Sequence, residues 1–364
     1  MQPFAFIVHP LTARDFCRKF PFAQNWSDGF IEGIMKYIPP FKVSHITGVV
    51  SPHSRTEGWF VGCPLTSRQM TEMPEEYVLK KIIKAGKVAE KSGAKIVGLG
   101  AFTSVVGDAG ITIAKNLNIA VTSGNSYTVA TALEGARQAA KVMGLSMDRA
   151  NVVILGATGS IGAACAQILS REVRYLTLVA RSEAKLEKVA TQIFRSTGLA
   201  VKVTANTKSA LRAADIVIAV TSSVDTLIEP EDLKPGAIVC DVARPRNVSR
   251  SVTEARDDVL VIEGGVVEVP GDVKFGLNFG FPQGTAYACM AETMILALEG
   301  RIENFTIGRD LTVKQIETID ELAKKHGFKL AGFRSFERAL TLAEIATIKK
   351  NSAAKAEALK EGIC

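Results

Sequence analysis

Three observations predict an α/β fold in more than one domain. Residues 146–268 alternate short apolar runs with helical stretches. Apolar runs that lack polar alternation are typical of strands covered on both faces of a parallel sheet. The first run leads directly into a glycine-spaced loop and an Ala-rich helix, NVVILGATGSIGAACAQIL, the order that marks a Rossmann-type nucleotide-binding domain. The chain, at 364 residues, is also longer than one ordinary core accommodates. The expected architecture is a Rossmann-type domain over 146–268, inserted in or following an α/β substrate domain over 1–145. C-terminal helices over 269–364 fold back to complete the substrate domain, and the active cleft lies between the two domains.

Local patterns support each element. FAFIVH reads as a strand, and TARDFCRKF as a helix with Thr12 at its N-cap. PEEYVLKKIIKAGKVAEKSG is amphipathic, has acids in its first turn and ends at Gly93. AKIVGLGAFTS is a strand running into a loop. IAVTSGNSYTVATALEGARQAAKVMGL is a strand end, a polar turn at Ser123–Gly124–Asn125 and a long helix. The remaining strands of the middle region are YLTLVAR, VKVTAN, DIVIAVTSS, AIVCDVA and VLVIEGG. After residue 284 the pattern is helical, and IKKNSAAKAEALKEGIC closes the chain as a polar helix or frayed end.

Composition narrows the function classes. With 47% hydrophobic and 22% charged residues, the chain is globular rather than disordered. No apolar run reaches the roughly 18 residues of a membrane helix, and the first residues lack the pattern of a secretion signal. Six scattered cysteines and four histidines give no disulfide framework and no metal centre, so reduced thiols and a cytoplasmic location are expected. A net charge of +7 is ordinary variation or suits an acidic partner. Without a recognised motif or basic cluster, nucleic acid is not that partner.

In the glycine loop, Gly156, Gly159 and Gly162 permit the tight turn and close packing, with Thr158, Ser160 and Ile161 around the helix start. Backbone amides there approach a pyrophosphate. The second strand ends in Ala180, Arg181 and Ser182 rather than an acid. An acid would hold ribose hydroxyls and repel a 2′-phosphate, whereas arginine and serine suit it, so NADPH is the expected cofactor. Thr221, Ser222, Asp241, Arg244, Gly264 and Gly265 stand at later strand ends, where ligands of such sheets bind.

Among the cysteines, Cys17, Cys165 and Cys240 read as packing residues, and Cys364 is terminal. Cys63 lies at a strand end before proline. Cys289 is placed about one turn into a helix starting at Gly284–Thr285, where the helix dipole favours a thiolate. Glu292 shares its face, either to relay a proton or to raise the thiol pKa. From chemistry alone, core packing of Cys289 stays open beside nucleophilic catalysis.

The motifs LGAFTSVV, TSGNSYTVA, VVILGATGSIGAACAQIL and GTAYACMAETMILALEG, with FIVHPLT and GCPLT before them and NFTIGRD and KKHGF after, together resemble the cyanobacterial long-chain acyl-(acyl-carrier-protein) reductases. The resemblance runs to about residue 335. It implies NADPH-dependent reduction of a fatty acyl thioester, of acyl carrier protein or CoA, to an aldehyde. It implies Cys289 as the acylated nucleophile, and an aldehyde-consuming enzyme as a further partner. Thr103, Ser104 and Asn125 are the candidate polarising groups, with turn capping as the alternative. Tyr127 stands where the family carries histidine, so it takes over that role or the step differs. GGVVEVPG likewise departs from the family's GGVVEHC. Two other readings compete. One is a dehydrogenase of the shikimate and methylene-tetrahydrofolate type using Lys84 or Lys95 with Asp108. The other is a non-catalytic NADP-binding protein.

Overall fold

The computed structural model describes residues 1–223, 225–278 and 280–362. It divides into two compact units, Met1–Tyr127 with Val267–Lys329, and Thr128–Val266 with Leu330–Cys364. This differs from the expected division. The boundary falls inside the helix Asn125–Met143 rather than at 145/146, and the residues from 330 onward group with the nucleotide-binding unit, not with the first.

The first unit is built on a five-stranded sheet. Its strands are β1 (Phe4–Val8), β2 (Phe41–Val50), β3 (Arg55–Gly62), β4 (Ile96–Gly98) and β5 (Ala120–Thr122). Their order is β2-β3-β1-β4-β5, parallel except for β2 at the edge. β1 is buried on both faces because each face meets a helix. Ala5 and Ile7 join one core cluster with Val78, Ile82, Ala85 and Ala89 of the helix Glu75–Lys91. That spacing puts four apolar side chains on one stripe, and burying each Val or Ile contributes about 1.5–3 kcal/mol. The N-terminal helix Ala13–Lys19 begins after Thr12 as expected, with Asp15 accepting from the Thr12 backbone N–H.

The helix Ala288–Glu299 covers the opposite face and is buried almost all round, as a central core helix should be. Gly98 permits that contact, since a Cβ there would lie 2.0 Å from Thr293 Oγ1. A glycine in this strand weakens it locally, and the close helix approach is what it makes possible.

The second unit carries β6 (Asn151–Leu155), β7 (Tyr175–Val179), β8 (Lys202–Thr204), β9 (Ile216–Ala219), β10 (Ile238–Asp241) and β11 (Leu260–Glu263). Their spatial order is β11-β10-β9-β6-β7-β8, all parallel. Numbered from β6, that is the 3-2-1-4-5-6 order of the dinucleotide-binding fold. The closing helix Leu342–Lys360 docks on this unit. Lys355 pairs with Asp257 at 2.7 Å and with the buried Asp258 at 3.0 Å.

Candidate active site

In the first unit the site forms where the Ala288–Glu299 helix meets the loops that follow β4 and β5. GTAYACMAE does not start its helix at Gly284–Thr285. Thr285–Tyr287 is a short strand, Tyr287 is the N-cap, and Cys289 is the second residue of the helix. The thiol therefore lies closer to the unsatisfied helix amides than the sequence suggested, where the positive end of the dipole stabilises a thiolate. Of the five described cysteines, Cys289 alone is partly exposed; Cys17, Cys63, Cys165 and Cys240 are buried. Burial pushes the thiols of Cys63 and Cys165 up to about 12 and that of Cys240 up as well, so all three stay protonated and inert at neutral pH. Cys17 donates a weak hydrogen bond to Ala13 O. Cys364 lies outside the described residues.

Two glycines bring backbone against Cys289. Gly124 adopts φ +77°, and a Cβ on it would lie 2.3 Å from Cys289 Cβ and 2.4 Å from its Cα. Only a residue without a Cβ fits both the left-handed conformation and the contact. A Cβ on Gly100 would stand 3.7 Å from Cys289 Sγ. The SGN turn and the GAF loop are thus the walls around the sulfur.

Glu292, one turn along the helix, has no exposed surface. Its Oε1 accepts from Thr122 Oγ1 at 2.5 Å and Thr306 Oγ1 at 2.6 Å. Its Oε2 accepts from Ser126 Oγ at 2.7 Å and the Tyr127 backbone N–H at 2.8 Å. Four donors occupy the carboxylate's four acceptor positions. They tie the end of β5, the start of the Asn125–Met143 helix and the loop at residue 306 to the helix that carries Cys289. Ser123 adds a bond to Thr306 O.

The other nominated groups are placed as follows. Thr103 Oγ1 accepts from Gly100 N–H at 2.9 Å and donates to Gly100 O at 2.8 Å. Ser104 Oγ donates to Ala101 O at 2.7 Å. Both hydroxyls close the loop on itself, the turn-capping alternative. Asn125 and Tyr127, the first and third residues of the helix Asn125–Met143, are buried, next to Gly124, which lies against Cys289. One residue was overlooked, His9 of FIVHPLT. Its Nε2 accepts from the Phe102 N–H at 3.3 Å while Nδ1 donates to Pro10 O at 3.0 Å. Burial lowers its pKa to about 4, leaving a neutral imidazole that anchors the loop next to the sulfur. A histidine ending a buried strand was the available signal.

Lys84, Lys95 and Asp108 do not form a comparable site. Both lysines are exposed, and Asp108 caps the following helix through Thr112 N–H at 2.9 Å and Thr112 Oγ1 at 2.7 Å.

The second unit presents the glycine loop as expected. Gly156 has φ +94°, and a Cβ on Gly162 would lie 2.3 Å from Gly156 O, which enforces close packing of strand and helix. Gly159 caps the helix Ser160–Leu169 and is exposed, while Thr158, Ser160 and Ile161 line the turn partly open. Such a helix start is a site for a pyrophosphate. Arg181 is exposed at the end of β7 and makes no ion pair among the described residues, and Ser182 caps the next helix. Thr221 packs against Gly156, its N–H donating to Asn247 Oδ1 at 3.2 Å; Ser222 is exposed. Asn247 had no marker in the sequence.

Asp241 and Arg244 both make contacts within the unit. Asp241 accepts from the backbone N–H of Ala243, Asn247 and Val248 at 2.9–3.0 Å. Burial raises its pKa to about 6. Arg244 pairs with the buried Glu263 at 3.2 Å. Gly264 and Gly265 are buried, and a Cβ on Gly264 would strike Val242 at 2.6 Å and Cys240 Sγ at 2.8 Å. The first of these glycines is thus a packing requirement.

The shikimate/quinate 5-dehydrogenase family model matches residues 137–263, which overlap the second unit and indicate a nicotinamide cofactor. Aminotransferase PigE of a Serratia species is 29% identical over 360 residues, 95% of this chain and 42% of that protein. The long-chain acyl-[acyl-carrier-protein] reductase of Synechococcus elongatus is 27% identical over 332 residues, 87% of this chain and 94% of that one. The chain thus spans under half of the Serratia relative and nearly all of the Synechococcus one. Among solved structures, L-tryptophan dehydrogenase from Nostoc punctiforme covers 97% of this chain and is itself covered to 89%, with TM-score 0.40 and 13% identity. Quinate dehydrogenase from Corynebacterium glutamicum covers 71% and is covered to 87%, with TM-score 0.34 and 14% identity. Among the described residues, no helix is long and apolar enough to cross a membrane.

Proposed function

We propose that this chain reduces a fatty acyl thioester, of acyl carrier protein or CoA, to the aldehyde with NADPH, through an acyl thioester on Cys289. The observation that carries the reading is the position of Cys289, a partly exposed thiol at a helix N-terminus walled by Gly100 and Gly124. The acyl-[acyl-carrier-protein] reductase named for the Synechococcus relative supports the substrate class. The unpaired Arg181 at the end of β7 and the open turn at Gly159 fit a dinucleotide that bears a 2′-phosphate.

The Cys289 thiolate attacks the thioester carbonyl, the bond to the carrier sulfur breaks, and the carrier leaves as a thiol after taking a proton. A nicotinamide held at the glycine loop of the second unit would supply the hydride for reduction of the acyl-cysteine carbonyl. The thiohemiacetal then collapses, the carbon–sulfur bond breaks, and the aldehyde leaves with Cys289 restored as thiolate. Covalent attachment splits the reduction into two easier steps. Helix amides and the dipole favour negative charge on the sulfur as it attacks and as it leaves. Glu292, with every acceptor position filled, acts as a positioning residue that fixes the helix start and the SGN turn around the sulfur.

The test is intact-mass analysis after incubation with acyl thioesters and no NADPH. A one-acyl adduct mapping to Cys289 is expected, absent in Cys289→Ser and retained in Cys63→Ala. An adduct on Cys63, or full NADPH-coupled turnover in Cys289→Ser, would sink the reading.

A further inference from the structure

The first unit has an apolar surface that the proposed chemistry does not use. Residues 13–42 form a satellite core of Ala13, Cys17, Ala23, Ile31 and Met35, and outside it lies a run of aromatic rings. Phe20 meets Phe22 at 5.9 Å and Phe41 at 6.2 Å, Phe22 meets Trp26 at 5.6 Å, and Trp26 meets Phe30 at 5.2 Å. Despite this packing, Phe22 is 68% exposed, Phe30 54% and Tyr37 78%. The helix Asp28–Met35 buries Ile31 and Met35. Phe30 and Ile34 lie on its other side, Tyr37 follows two residues past its end, and a Cβ built on Gly29 or Gly33 would meet nothing within 4 Å. A helix apolar on both sides normally has both sides covered; here, among the described residues, Trp26 is the ring that meets Phe30, which stays more than half exposed.

Charge decides what covers it. The segment's three acids are all paired, Asp15 with Arg18, Asp28 with Arg14 and Glu32 with Arg68. Lys19, Lys36 and Lys42 have no carboxylate partner among the described residues. Lys19 reaches only Val43 O, and Lys36 sits 5.0 Å over the Tyr37 ring. Phe, Trp and Tyr bordered by lysines without a carboxylate partner suit the headgroup region of an anionic bilayer, which takes amphipathic rings and attracts lysine. A second copy of the same face would oppose these lysines to one another. We infer that the aromatic face of residues 20–42 docks the protein on an anionic lipid surface.

The location adds to the argument. The segment follows the carboxyl end of β1, and Phe41 pairs with Gly62 at the carboxyl end of the parallel strand β3. Gly100, against Cys289 Sγ, follows the same end of β4. Docking brings a bilayer to the sheet end that holds the thiol. The inference stands apart from the reductase reading, because it concerns binding without turnover.

The test is flotation of the full chain with phosphatidylcholine vesicles, with and without phosphatidylglycerol. Trp26 emission, read in a Trp59→Phe background, reports insertion. Binding to the anionic vesicles with a blue shift is expected. Each of Phe22→Ser, Phe30→Ser and Tyr37→Ser should weaken it on the order of tenfold, and each of Lys19→Gln, Lys36→Gln and Lys42→Gln about fivefold, with added salt acting like the lysine changes. Thermal melting and NADPH binding show that each variant is folded. Indifference of the wild type to anionic vesicles overturns the proposal, as does equal binding by the folded triple Ser variant. If the wild type ignores vesicles but forms dimers, or captures purified acyl carrier protein, through these residues, the face belongs to that partner and the proposal also fails.

Discussion

Replacing Glu292 with glutamine and with alanine separates holding the site from moving protons. Two of its four donors, Thr122 and Thr306, are hydroxyls 3.1 Å apart that can accept as well as donate. Glutamine can therefore turn its oxygen to Ser126 and the Tyr127 N–H and its amide to the two threonines. It loses charge assistance but is spared the cost of a buried charge, so the net change is within about 2 kcal/mol. Alanine leaves the Tyr127 N–H and Ser126 without their acceptor and opens a cavity, costing roughly 4–6 kcal/mol. For a domain of this size that is a drop of roughly 10–20 °C in the melting temperature of the first unit. The assay pairs thermal unfolding with the rate of acyl-adduct formation at Cys289. Glutamine is expected to keep acylation within about tenfold of wild type, whereas alanine melts lower and forms the adduct far more slowly. A glutamine variant that melts normally but acylates a hundredfold or more slowly would refute the positioning role and return Glu292 to proton transfer.

Four further outcomes are expected. Iodoacetamide should label Cys289 first, and Cys63 and Cys165 only on unfolding, because burial holds those two thiols near 12; peptide mass mapping over time checks the order. Arg181→Ala should raise KM for NADPH roughly tenfold or more with little effect on NADH, and unchanged discrimination would show that Arg181 is merely solvated. Gly124→Ala should impair acylation even where the fold survives, because its Cβ would fall 2.3 Å from that of Cys289; wild-type adduct formation would contradict the contact. The fourth concerns acid. The folded pKa of His9, lowered to about 4 from 6.5, means that the unfolded chain binds more protons between those values. Stability is then present above pH 6.5 and lost as pH falls towards 4, by about 2 kcal/mol once the part of the ring open to solvent is discounted. His9→Gln should flatten that part of the melting-temperature profile.

The second unit was legible because its signals are local. Each strand is a buried apolar run, and the glycine loop encodes its own turn. The helix start at Cys289 was misplaced by several residues, since Gly284 and Thr285 look like a start and nothing in TAY announces a strand. Glu292 could be seen beside the cysteine, but its partners Thr122, Ser126 and Thr306 lie far from it in sequence, and only folding collects them. Asp241 and Arg244 stand at the right strand ends, yet a strand end presents one side chain to solvent and turns the next inward, and register is not written in composition. The affiliation of residues 330–364 was hidden for the same reason, since the pairing of Lys355 with Asp257 and Asp258 is a long-range choice.

The split first unit has a consequence for synthesis on the ribosome. Gly100, Gly124 and the donors to Glu292 at positions 122, 126 and 127 emerge early, but Cys289 and Thr306 emerge only after the whole stretch Thr128–Val266. A domain folds once its residues are available, so both units finish late: the first waits for Val267–Lys329 and the second for Leu330–Cys364. A chain stopped before residue 289 lacks Cys289 and also the Lys355 that pairs with Asp257 and Asp258. Interrupted translation therefore leaves neither unit finished.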